Sequence, residues 1–268
     1  MTTENNPTAV VDWEPPMPPT DLIFDDGEPL ESNRHRIAMN VLIRSLQQAW
    51  ADRNDFFTGG NMFIYYSSTQ VRNRDFRGPA FFAVLNVDSN NSRQGWVVWE
   101  ENGRYPDVIM ELMSPSTAAI DKGIKKKLYE QTFRTSDYFV YDPFDPNSLQ
   151  GWHLDDNQQY QPLTANERGW LWCKRLGLWL GRTEGTIDRE TAIWLRFYDV
   201  ASNLVLLPEE AAAAQAQAAV RQAEIAVAQA QAAVAEAEAA TVREEAAAAQ
   251  VARLAARLKE LGENPDML

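Results

Sequence analysis

A chain of 268 residues, 45% of them hydrophobic, can bury one substantial core, and its single cysteine, Cys173, excludes a disulfide framework or a Cys-rich zinc site. Its formal charge of −13 argues against a basic nucleic-acid clamp, because Lys and Arg that neutralise phosphates supply most non-specific duplex affinity. No stretch reaches the ~18 apolar residues of a membrane span, and the start has neither a basic nor an apolar leader region, so a soluble cytoplasmic protein is expected.

Residues 1–21 are rich in Pro and polar side chains and are predicted to be extended or disordered. A mixed α and β domain is expected over residues 22–207. From Glu31 onward, Ile37, Val41, Leu42, Leu46 and Trp50 recur at helical spacing, with Ser32 or Asn33 as the N-cap. Short β-type runs follow at residues 61–66, 80–87 and 96–101, separated by Asn, Ser, Gly and Arg clusters. Residues 106–114, PDVIMELMS, form a nearly continuous apolar run that suits a central strand. A helix over residues 118–133 and a strand over residues 136–143 complete the pattern of a crossover unit. The later runs GWHL, QYQPL, LGLWLGR and TAIWLRFYD alternate in polarity and predict an antiparallel meander that extends the sheet.

From Pro208 the composition changes. All nine Trp, eight Tyr and eleven Phe precede it, and Ala, Gln and Glu dominate after it. This stretch, residues 208–268, holds five basic and ten acidic residues and leaves −8 for the remainder. A seven-residue repeat begins at Gln215, with Val220, Val227 and Val234 in step and Ala223, Ala230 and Ala237 three later. A continuous helix to Leu261 would be ~80 Å long. An Ala/Val seam buries little area, whereas Val251, Leu254, Leu258 and Leu261 make a stronger stripe. A homo-oligomeric coiled coil, packing back on the core, and a solvated Ala-rich helix are all open readings.

Glu111 stands out, because a carboxylate on an otherwise apolar central strand is costly without a partner and so marks a partner or a site. Asp107 shares its strand face, but four residues at ~3.3 Å each set the two about 13 Å apart, too far to share one ion directly. Asp107 is expected to make a turn or cap contact after Pro106. His35 and His153 read as structural, Asp121 as a contributor to its helix start and Tyr129 as packing. Lys122, Lys126 and Lys127 point elsewhere around the helix from Lys125.

The segments GPAFFAV (78–84), YPDVIMELMSPST (105–117) and DKGIKKKLYEQTFRTSDYFVYDP (121–143) together resemble the Uma-type restriction endonuclease family, a branch of the PD-(D/E)XK nuclease superfamily. The likeness continues through GWLW (169–172) and the ending ARLKELGENPD. It implies a restriction-endonuclease-like core and Mg²⁺-dependent hydrolysis of DNA phosphodiesters. Carried over residue by residue, Glu111 is a catalytic metal-binding carboxylate, Lys125 the catalytic lysine offered from the following helix, and Glu31 a helical metal ligand. Met113 stands where the simple superfamily pattern has its lysine. The family's first metal-binding aspartate falls on Ala80, which implies an impaired site. Two hypotheses follow: a weakened Mg²⁺-dependent endonuclease, or an inactive nuclease-fold protein that acts in binding or assembly through its C-terminal helix.

Overall fold

The computed structural model describes residues 19–24, 30–73 and 78–262. Most of the N-terminal segment read as extended lies outside the described residues. The chain divides into two units, residues 1–208 and 209–268.

The first helix, α1 (Asn33–Ala49), starts where its N-cap chemistry dictates: Ser32 is extended and its Oγ accepts the backbone N–H of His35 at 3.3 Å. Its apolar stripe of Ile37, Val41, Leu42 and Leu46 is fully buried. The main sheet has six strands: β1 (Phe56–Gly59), β3 (Phe81–Leu85), β5 (Val108–Leu112), β6 (Asp137–Asp142), β7 (Asp145–Leu154) and β8 (Tyr160–Pro162), in that order. Only β5 and β6 run parallel; the other pairs are antiparallel. A parallel neighbour requires a crossover, and residues 118–133 supply it as the expected helix.

All five residues of β5 are buried, as a central strand requires. Period-two alternation sends Val108, Met110 and Leu112 into a core shared with α1. Ile109 and Met113 join the opposite core, with Tyr129 and Phe133 of the crossover helix and Ile64 and Trp96 of a small parallel pair, β2 (Ile64–Tyr65) and β4 (Trp96–Val97).

Three sequence expectations change. The run at residues 96–101 is strand only over Trp96–Val97, because the chain then turns, with Asn102 and Gly103 at positive φ. Phe56–Gly59 forms an edge strand and Ser68–Asn73 a short helix, α2, neither of which the pattern announced. The meander extends the main sheet only as far as β8. Strands β9 (Leu171–Cys173), β10 (Leu178–Ile187) and β11 (Glu190–Tyr198) make a separate three-stranded sheet, with Leu180, Leu195 and Phe197 packed in the α1-side core. Alternation announces a strand but not its neighbours.

The second unit is one helix, Pro208–Glu260, in which no described residue is buried. Val220, Val227 and Val234 are each nearly three-fifths exposed, and Leu254 and Leu261 are exposed as well.

Candidate active site

Parity along β5 puts Glu111 on the face roofed by the crossover helix, and it is only 4% exposed. The turn Ser114–Thr117 brings the chain from β5 into that helix: Thr117 Oγ1 accepts the Ser114 N–H at 2.9 Å, and the Ala118 N–H bonds the Ser114 carbonyl at 3.0 Å.

The helix then aims Lys125 and Tyr129 at the Glu111 carboxylate, with Asp121, four residues before Lys125, meeting the lysine. Lys125 Nζ lies 3.1 Å from Glu111 Oε1 and 2.9 Å from Asp121 Oδ1. The Tyr129 hydroxyl donates to Glu111 Oε1 at 2.8 Å. In a regular α-helix residues four apart overshoot a full turn by ~40°, so Asp121, Lys125 and Tyr129 would fan apart. The π turn Asp121–Lys125 winds more widely and takes up part of that drift, between Asp121 and Lys125. Asp121 and Tyr129, read from sequence as helix start and packing, are thus part of the Glu111 cluster. Their spacing from Lys125 was the available signal.

Burial pushes the Glu111 carboxyl above its usual range; Lys125 and the Tyr129 hydroxyl oppose the shift and Asp121 adds to it. Burial would lower the Lys125 ammonium, but attraction to Glu111 and Asp121 outweighs that and holds it above the ordinary lysine value. Lys125 therefore stays a cation at neutral pH. Tyr129→Phe is expected to lower stability by about 1.5–3 kcal/mol, the range for a buried bond to a charged acceptor. Urea unfolding checks this, and a loss under ~0.5 kcal/mol would show that the hydroxyl does not hold Glu111.

A cleft of about 60 Å³ opens at this end of the sheet, lined by Glu31, His35, Ala80, Glu111, Asp121 and Lys125 among others. In the β3–β5 register Phe81 faces Met110 and Phe82 faces Ile109. Ala80 is the residue just before this register begins, and it lines the same cleft as Glu111. Ala80 is half-buried at the bend before β3 and also touches the α1-side core. Glu31 is exposed at the rim, before α1. His35 is a buried strut: one ring nitrogen lies 3.1 Å from the Met113 carbonyl and the other 2.9 Å from Ser32 Oγ, which ties α1 to the end of β5.

The remaining candidates lie elsewhere. Asp107, at the opposite end of β5, accepts the Leu85 N–H at 2.8 Å and pairs with Arg175. His153 pairs with Asp137 at 2.7 Å. Lys126 sits over the Trp152 ring at 4.4 Å, and Lys122 and Lys127 are exposed.

A hard divalent cation takes oxygen ligands, preferably charged. Glu111 and Asp121 are of that kind, and Asp121 Oδ1 is buried with no hydrogen-bond partner beyond the Lys125 ammonium. Ala80 withholds a third carboxylate. Among the described residues no three His, Cys, Asp or Glu side chains are placed to hold an ion together.

A mixed sheet with one parallel crossover thus presents a carboxylate and a lysine at the end of its central strand. The family described as "Uma2: Putative restriction endonuclease" matches residues 12–183, and the chain belongs to that family. It is also similar to a solved structure described as a putative nuclease belonging to DUF820 from Anabaena variabilis ATCC 29413. There the identity is 11% and the TM-score 0.39, over 55% of this chain and 76% of that one. No curated protein matches the chain. No helix among the described residues is long and apolar enough to cross a membrane.

Proposed function

We propose that the chain is a cytoplasmic, restriction-type endonuclease whose site for Mg²⁺-dependent hydrolysis of DNA phosphodiesters is weakened by the alanine at position 80. The observation that carries this reading is the cleft that Ala80 and Glu111 line together, with Lys125 beside Glu111. Glu111 would hold the ion, with Glu31 as a further ligand from the rim. The ion, when bound, supplies positive charge to the oxygens of the scissile phosphate. Lys125, 3.1 Å from Glu111, would orient the attacking water, whose oxygen bonds phosphorus as the bond to the leaving oxygen breaks. The exposed Lys122 and Lys127 lend local positive charge that an acidic chain otherwise lacks. The test is Mg²⁺-dependent cleavage of DNA by the native chain and by Ala80→Asp, each repeated with Glu111→Ala. Cleavage that survives Glu111→Ala, or none in either background, would remove the reading.

The exposed seam of the C-terminal helix favours a second reading, in which the fold no longer cuts and acts by assembly. Val220, Val227 and Val234 recur every seven residues and remain exposed, as in a helix that pairs with another copy. Sedimentation of the full chain is expected to show concentration-dependent self-association, and Leu254→Glu with Leu258→Glu to weaken it at least tenfold. A monomer at every concentration would end the assembly reading.

A further inference from the structure

We propose that the Lys125 ammonium is the resident cation of the cleft, standing where a divalent ion would bridge Glu111 and Asp121, so that ion binding is an exchange of one for the other. This rests on the nuclease reading and adds to it both a ligand, Asp121, and a competitor, Lys125.

The geometry is that of a bridged cation. Carboxylates from two different elements, β5 and the crossover helix, converge on one Nζ, at 3.1 Å from Glu111 Oε1 and 2.9 Å from Asp121 Oδ1. Asp121 is 1% exposed, and apart from the Lys125 ammonium its Oδ1 has no hydrogen-bond partner. An oxygen so placed accepts a hard cation in place of an ammonium. The Tyr129 hydroxyl keeps Glu111 in position whichever cation is present.

Charge and mobility decide the competition. Two carboxylates with one ammonium carry a net −1, and a divalent ion added beside Nζ would meet a like charge at contact distance in a poorly hydrated pocket. Lys125 can swing off the two carboxylates and still reach a water beside the ion, because its side chain is about one-fifth exposed and its stem is flexible. Its neighbours Lys122 and Lys127 already extend into solvent. The two anions themselves cannot leave: one is on a central strand, and the other is at a helical turn whose carbonyl accepts the Tyr138 hydroxyl at 2.8 Å.

The experiment is Mn²⁺ binding to the full chain, by titration calorimetry and by the electron-spin signal of free ion. The forms compared are native, Lys125→Met, Lys125→Gln, Asp121→Asn with Lys125→Met, and Ala80→Asp. Removing the ammonium is expected to tighten Mn²⁺ at least tenfold and to let Mn²⁺ raise the melting temperature more than in the native chain. Asp121→Asn is expected to cancel both gains. Should both Lys125 variants misfold, Mn²⁺ is expected to restore folding, and no restoration counts against the exchange. If Ala80→Asp binds Mn²⁺ while the Lys125 variants bind no better than native, the exchange is wrong and the nuclease reading stands. If no form binds Mn²⁺, Ala80→Asp included, the nuclease reading fails as well.

Discussion

Ala80→Asp is expected to raise Mg²⁺-dependent DNA cleavage by about 10²-fold or more, equivalent to ~2.7 kcal/mol of transition-state stabilisation. Mg²⁺ gives up water reluctantly and relies on charged oxygen ligands, so a site short of a carboxylate loses occupancy before it loses chemistry. Residue 80 immediately precedes β3, the neighbour of the strand that bears Glu111, and both line one cleft, so the new carboxylate enters an existing constellation. Without an ion the added charge repels Glu111 and Asp121, so Ala80→Asp should melt below the native chain in chelator. With Mg²⁺ the order should reverse, because a ligand that binds only the folded state stabilises it. Glu111→Ala in the same background is expected to erase both gains. An Ala80→Asp chain that melts identically with and without Mg²⁺, and cuts no faster than native, would remove residue 80 from the site.

How much of this was legible in the sequence depended on how local each signal is. Strand β5 was readable because five successive buried residues leave Glu111 as the conspicuous exception. The crossover helix followed from the apolar strands on either side of it, and α1 from its stripe and its Ser32 cap. Asp121 and Tyr129 stand four residues either side of Lys125, a spacing that puts them on one helix face, but nothing in that spacing says that the face meets Glu111. Pairing is likewise non-local. Strand β1 has only four residues, flanked by turn-forming Asn, Asp and Gly, and nothing in FFTG indicates that it will pair with β3. The polarity pattern of β9 to β11 fits equally a continuation of the main sheet and a sheet of its own. The second is what forms, with Leu180 and Phe197 seated in the α1-side core.

The end of the sheet opposite the cleft is where stability should be most sensitive, and Asp137→Ala is expected to cost about 3 kcal/mol. Asp137 is fully buried at the start of β6, beside Val108 of β5 and His153 of β7. One carboxylate oxygen meets His153 Nδ1 at 2.7 Å; the other accepts the Arg175 backbone N–H at 2.7 Å and the Cys173 thiol at 3.6 Å. Burial, with Asp137 next, pushes that thiol well above its usual range, so Cys173 remains a donor and not a thiolate. Arg175 also pairs with Asp107, which itself accepts the Leu85 N–H, so a single turn ties β3, β5 and β6 to the β9–β10 connection. Alanine would leave the part-buried Arg175 N–H and the buried Cys173 thiol without this acceptor, at up to ~1–3 kcal/mol for a strong donor. The His153 share is smaller, because that side chain is about one-quarter exposed and water can replace the carboxylate. Asp137→Asn keeps an oxygen for one donor and should cost roughly half as much as alanine. Urea unfolding measures both variants, and the alanine melting temperature should fall by ~6–12 °C for a domain of this size. A loss under ~1 kcal/mol for Asp137→Ala would mean that packing, and not this carboxylate, fixes the register of β5 and β6 that carries Glu111 into the cleft.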